Sequence, residues 1–161
     1  MGANPSVSIK LKTINCHIKT DFKAPLSFVF SWCTDFSTSD PKLEKEKYAR
    51  RIIEKTRSRI VFEDLQDMKD GWSWQRATVT LIPPDRWHMD NIGNRRDVTA
   101  DYVLSRLPRD QTELDLRWKV RPKTAAVAKI TKNERERSVE DMWRKFAEVL
   151  ERDYRRTGGE A

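Results

Sequence analysis

The sequence predicts an α+β fold. A curved antiparallel β-sheet of about seven strands wraps around a long C-terminal helix, with two short helices after the first strand. Three observations carry this. Apolar residues alternate with a period of two from about residue 49 to 122. They recur on a helical period from Val139 to Tyr154. Between the first alternating stretch and the rest lies "FKAPLSFVFSWCTDF", residues 22–36, which is apolar and carries a proline near its start.

Residues 6–22 alternate in two phases. Val7, Ile9 and Leu11 share one parity; Ile14, Cys16, Ile18, Thr20 and Phe22 share the other. The switch near Lys12 and Thr13 predicts a β-bulge inside one long strand, or two short strands with a break. Ala24 and Pro25 then open a short helix over residues 25–34, because a proline in the first turn forfeits no hydrogen bond. Phe28, Val29, Trp32 and Cys33 give that helix a wide apolar face. Ser39 or Asp40 offers an N-cap for a second short helix, with Pro41 just inside it.

The stretch from 49 to 122 reads as strands joined by short turns, so neighbours pair antiparallel. "PPD" at 83–85, "GNRR" at 93–96 and "PRDQ" at 108–111 are turns. The cleanest alternation sets Leu114, Leu116, Trp118 and Val120 against Glu113, Asp115, Arg117, Lys119 and Arg121. Val98, Ala100, Tyr102 and Leu104 repeat the pattern. In "WSWQRATVTLI", Ala77, Val79 and Leu81 place Gln75 inside and Trp72, Trp74 and Arg76 outside. A bulge near Gln75 would instead turn those tryptophans toward the cavity mouth, and the sequence leaves both arrangements open. "TAAVAKI" at 124–130 reads as a turn of helix. The long helix follows, with Val139, Met142, Trp143, Phe146, Val149, Leu150 and Tyr154 on one face. Asn133 with Glu136, or Ser138 with Asp141, is the expected cap.

Length favours one domain, over residues 6–156, with flexible termini at 1–5 and 157–161. The net charge of +7 comes from 32 basic and 25 acidic residues. Asp and Glu interrupt the basic runs "RRIIEKTRSR", "NRR" and "RWKVRPK", which argues against nucleic acid as the main partner. No apolar run approaches the roughly 20 residues of a membrane span. "MGANPSVSIKLK" has no apolar leader core, so a cytoplasmic location is expected. Cys16 and Cys33 form no CxxC or His/Cys cluster, and no metal is expected. Five glycines and the absence of phosphate-loop and hydrolase motifs leave no cofactor and no catalytic residue to assign. Of the two histidines, His88 shares a parity with Asp90, but Trp87 and Met89 take the inner face, so His88 is expected outside.

One helix cannot fill a strongly curved sheet. The space left is either lined for a ligand or filled by bulky side chains, and six tryptophans make both readings available. The residues placed to line it are Thr20, Gln75, Trp87, Tyr102, Trp118, Met142 and Phe146, with Asn91 as a further polar candidate.

The element order and the segment "IKTDFKAPLSFVFSWCTDF" resemble the helix-grip superfamily, also called SRPBCC. It includes START lipid-transfer domains, the birch-pollen-allergen family and polyketide cyclase/dehydrase-like proteins. Its members show a first strand and then an "APxxxVWxxxxD" helix; Ala24, Pro25, Val29 and Asp35 stand near those positions, and the likeness runs over residues 6–155. The resemblance implies a hydrophobic or amphipathic small-molecule ligand of the lipid, isoprenoid or polyketide class. It makes residues 22–36 a lid that closes one end of the cavity; the alternative is that they complete a solid core. The alternatives are a cyclase/dehydrase-like enzyme using pocket tyrosine or carboxylate groups, and a protein- or nucleic-acid-interaction module using the basic outer sheet face. Non-enzymatic binding is favoured.

Overall fold

The structure, a computed structural model, describes residues 11–36 and 48–158. Its strands are β1 (Ile14–Phe22), β2 (Tyr48–Lys55), β3 (Arg59–Met68), β4 (Gly71–Ile82), β5 (Arg86–Gly93), β6 (Arg96–Leu107) and β7 (Gln111–Pro122). Its helices are α1 (Leu26–Cys33), α2 (Ala125–Ala128) and α3 (Lys132–Arg156). The seven strands form one sheet in the order β1-β7-β6-β5-β4-β3-β2, antiparallel throughout.

Each strand is followed by its spatial neighbour except at β1, whose partner is the last strand, β7. That pairing runs without a slip from Ile14 opposite Val120 to Phe22 opposite Thr112. Residues 11–13 are not strand, so β1 begins at Ile14; the first phase of the alternation, at Val7 and Ile9, lies outside the described residues. The register shift that does occur is in β2, between Ile52 and Glu54. It leaves Ile53 without an opposite residue, and Ile53 is exposed. The second short helix, expected after Ser39 or Asp40, lies outside the described residues.

α1 starts after Pro25, which is extended and serves as the N-cap rather than as a residue of the first turn. Thr34 ends it, its hydroxyl donating to the Phe30 carbonyl at 2.7 Å. α2 is the single turn expected at 124–130, capped by Thr124. α3 begins earlier than either predicted cap. Thr131 and Glu134 form a reciprocal capping box, which satisfies two of the free N–H groups at the helix start.

α3 lies on one face of the sheet and packs along β1 and against α1. β1 is an edge strand with outward N–H groups. Two helix carboxylates cover them: His17 donates its backbone N–H to Glu136 Oε2 at 2.7 Å and Lys23 donates to Glu151 Oε2 at 3.3 Å. α1 is tied to α3 by Trp32 Nε1, which donates to Asp153 Oδ2 at 2.9 Å, and by Phe28 against Tyr154. The inward row of α3 runs through Arg135, Trp143, Ala147 and Leu150. Met142 is at its edge and 38% exposed, because it is one residue, about 100° of helix, away from Trp143.

Candidate functional site

Strand alternation sorts the sheet into an inner face toward α3 and an outer face. Cross-strand rows make the inner face explicit. Cys16, Trp118, Ala100, Met89, Val79 and Ile60 follow one another across the sheet. The next row toward one end contains Ile18, Leu116, Tyr102, Trp87 and Leu81.

Aromatic rings occupy the region between this face and the helices. Trp87 stacks on Tyr102 with centroids 4.7 Å apart. Phe30 of α1 meets Trp87 edge-on at 6.1 Å. Trp143 of α3 touches Phe22, Tyr102 and Phe146 at 6.2, 6.1 and 5.3 Å, and Trp32 reaches Phe146 at 6.2 Å. Tyr102 sits at the centre of this set. Its hydroxyl makes no hydrogen bond to any described residue. Burial pushes its phenol well above the usual tyrosine range, and the neighbouring Cys33 adds to the shift. Burial raises the Cys33 thiol in the same way. Yet both side chains are only half-buried by surface area. The two observations agree if the remaining surface faces a narrow recess inside the protein rather than bulk solvent.

A polar belt crosses the other end of the inner face. Arg50 grips Asp64 with two bonds, Nε to Oδ1 at 2.8 Å and Nη2 to Oδ2 at 3.0 Å. Gln75 Nε2 donates to Asp64 Oδ2 at 3.0 Å, and Asn91 Nδ2 donates to Gln75 Oε1 at 3.0 Å. Asn91 Oδ1 is left buried with no partner among the described residues. The Arg50 guanidinium also lies 4.0 Å from the centroid of Phe62. The belt continues to Arg96, the inner-face residue two before Val98, and to Arg135 on α3.

The seven residues read from sequence fall into different surroundings. Trp87, Tyr102 and Phe146 belong to the aromatic cluster. Trp118 is buried on the inner face, a diagonal neighbour of Tyr102 because Ala100 is its direct partner on β6. Thr20 is half-buried on the inner face opposite Leu114. Gln75 belongs to the polar belt. Met142 is the exception, since its exposure takes it off the inner row.

Sequence reading missed Arg50, Asp64, Arg96 and Arg135. Asp64 carried a signal, for it shares the parity of Ile60 and Phe62. Arg96 was hidden by reading "GNRR" as turn, although it shares the parity of Val98 to Leu104. Both histidines lie on the outer face. His88 bridges Asp101 Oδ1 at 2.6 Å and Asp90 Oδ1 at 3.0 Å, and His17 meets Asp115 at 2.7 Å. A groove of about 880 Å³ also opens along the outer face of β1, β7 and β6, lined by Asn15, Asp101, Arg117, Lys119 and Lys132 among others. Charges of both signs line it alongside Cys16 and Trp118, a mixed lining unlike the mostly apolar wall of a typical hydrophobic-ligand site. Among the described residues there is no cluster of three or more possible metal ligands and no helix long and apolar enough to cross a membrane.

The sequence matches no family model and no curated protein at a significant level. Solved structures do match. A protein of Thermus thermophilus is 11% identical, with a TM-score of 0.69 over 85% of this chain and 97% of its own. The Zhui aromatase/cyclase from Streptomyces sp. R1128 is 14% identical, with a TM-score of 0.65 over 90% of this chain and 95% of its own. A START superfamily protein from Mycobacterium smegmatis is 14% identical, with a TM-score of 0.63 over 89% of this chain and 98% of its own. Identity this low speaks for architecture only: a seven-stranded antiparallel sheet around a long C-terminal helix, the helix-grip fold shared by START and aromatase/cyclase proteins.

Proposed function

We propose that the protein binds a hydrophobic or amphipathic small molecule, of the lipid, isoprenoid or polyketide class, between the sheet and α3. The observation that carries this is Tyr102. Its hydroxyl has no partner among the described residues, burial raises its pKa, and the half-buried side chain retains surface within an aromatic surround. A buried tyrosine hydroxyl ordinarily finds a partner. A ligand oxygen would supply it, while Trp87, Phe30 and Phe146 supply apolar contact.

The cyclase-like alternative needs an inner-face acid or base with freedom to exchange a proton. Asp64 is an inner-face carboxylate, but Arg50 and Gln75 engage both its oxygens. The raised Tyr102 pKa keeps the phenol protonated, which suits a hydrogen-bond donor rather than a base. Binding is therefore the better reading.

The test is titration with the neutral apolar fluorophore N-phenyl-1-naphthylamine. Saturable binding to the native protein, with energy transfer from tryptophan, is expected, and Trp87→Ala should change the affinity. No saturable binding to the wild type, together with a site gained in Trp87→Ala, would show that the rings are filler and overturn the proposal.

A further inference from the structure

We infer that the ligand carries an anionic oxygen head, a carboxylate or a phosphate, which is held by Arg96 and Arg135 at the polar end of the inner face. This rests on the small-molecule reading above and adds the head-group chemistry to it.

The argument begins with Arg135. It is only 6% exposed, on the inward row of α3. One guanidinium nitrogen donates to the Val127 carbonyl, and Nε is buried with no partner. It forms no ion pair with any described carboxylate. A buried charge without an ion-paired partner is costly, and the charge of nearby Glu134 offsets only part of that cost. Burial lowers the Arg135 pKa, as that cost requires.

Arg96 stands beside it. Its place on β6 opposite Pro122, in phase with Val98, Ala100 and Tyr102, directs it to the same face as α3. Burial lowers its pKa, and the like charges of Arg135 and Arg95 lower it further. By surface area Arg96 is exposed, so its guanidinium is reachable from solvent. It too meets no carboxylate among the described residues.

The neighbouring cations show what is missing. Arg95 holds Asp70 through two bonds of 3.0 and 2.9 Å. Lys123 pairs with Asp97 at 2.9 Å and Arg50 with Asp64 at 2.8 Å. Arg95, Lys123 and Arg50 thus have their acids, whereas Arg96 feels the like charge of Arg135 and pairs with no described carboxylate. Two guanidinium groups close together and unpaired form a fork that an oxyanion satisfies with paired N–H···O bonds. The N-terminal turn of α3, where Arg135 lies, adds favourable potential for an anion. Arg96 and Tyr102 lie on the same face of the same strand, β6, six residues or about 20 Å apart, so an extended amphipathic molecule with its head on the arginines would run past Val98 and Ala100 to bring its body to the rings.

The test uses cis-parinaric acid and its methyl ester, two fluorescent chains that differ only in head charge. Wild type should bind the acid roughly 10- to 100-fold more tightly than the ester, the range expected for charge-assisted hydrogen bonds. Arg96→Gln should bring the acid down to the level of the ester without changing ester binding. Arg135→Met should do the same and should not lower the melting temperature of the ligand-free protein, since it removes an uncompensated buried charge. Laurate, dodecyl phosphate and dodecanol as competitors then separate the head groups; laurate ahead of dodecyl phosphate assigns a carboxylate, and the reverse order a phosphate. Equal affinity for acid and ester, or dodecanol competing as well as both anions, overturns the inference while leaving small-molecule binding intact. Failure of acid and ester alike overturns the proposed function itself.

Discussion

Trp87 and Tyr102 are direct cross-strand partners on β5 and β6, and their rings lie 4.7 Å apart at 10° to one another. An antiparallel register places such a pair side by side on one face, and stacking then adds to area burial. Phe30 closes on Trp87 from α1 and Trp143 closes on Tyr102 from α3. The pair therefore joins sheet, short helix and long helix.

Trp87→Ala should cost about 3–5 kcal/mol of stability in a urea titration, because Trp87 is 2% exposed and has rings on two sides. Tyr102→Phe should cost less than about 1 kcal/mol, because the hydroxyl it removes leaves no protein partner unsatisfied. A larger loss in Tyr102→Phe would mean that the hydroxyl has a protein partner, and would remove the main support for a ligand there.

The buried Arg50–Asp64 pair gives a second test. Both side chains are 7% exposed. Asp64→Ala should destabilise by about 3–5 kcal/mol, since it removes the buried carboxylate that accepts from Arg50 Nε and Nη2 and from Gln75 Nε2. Replacing both, Arg50→Met with Asp64→Leu, should recover most of that loss. A double variant no more stable than Asp64→Ala would show that Gln75 and Asn91 depend on the charge pair, and that the belt acts as one unit.

Alternation made most of the sheet legible. Leu114 to Val120 and Val98 to Leu104 face inward as their parity requires, and the antiparallel order follows from the short turns. The pairing of β1 with β7 is a non-local choice with no local signal, and the sequence reading did not make it. The α3 cap was misplaced because Thr131 and Glu134 precede Val139, the first apolar residue of the stripe, by eight and five residues, each more than a turn of helix. The polar belt was half read. Gln75 and Asn91 stood out as polar residues on apolar parities, but nothing singled out Asp64 in a chain that is 35% charged, and Arg96 was hidden within a predicted turn. In such a chain the informative charges are those whose partners are missing or buried, and pairing is a property of three-dimensional structure.

His88 predicts a pH dependence on the outer face. Partial burial works against its charged form, but hydrogen bonds to Asp101 and Asp90, with their charges, outweigh this and raise the pKa. Thr80 and Asp101 flank it in register, and Arg117 lies beyond Asp101. A folded pKa above the unfolded value of about 6.5 stabilises fully below that pH. The contribution is lost as pH rises through the folded value. The stability difference between wild type and His88→Gln should therefore be larger at about pH 6 than at about pH 8.5. A difference that is flat, or that grows with pH, would show that the imidazolium is not held by these carboxylates.

The last prediction concerns Trp72 and Trp74, whose direction the sequence left open. β3 and β4 pair without a register shift from Arg59 opposite Thr80 to Met68 opposite Gly71. No bulge intervenes at Gln75, so the parity of Ala77 and Val79 carries through and turns both tryptophans outward. They differ in freedom. Trp74 Nε1 donates to Glu63 at 3.2 Å, and the Arg76 guanidinium stands 5.8 Å from its ring centroid while also bonding Glu63 at 2.8 Å. Trp72 is 61% exposed, whereas Trp87, Trp118 and Trp143 are 2%, 7% and 7% exposed. Acrylamide, a neutral quencher, should therefore reach Trp72 first. Trp72→Phe should remove most of the readily quenched tryptophan emission and leave the emission maximum of the remainder shifted to the blue. It should also leave stability within about 0.5 kcal/mol of wild type, as expected for an exposed site. If the quenched fraction persists unchanged in Trp72→Phe, the outward placement is wrong, and the tryptophans of β4 belong at the mouth of the inner recess.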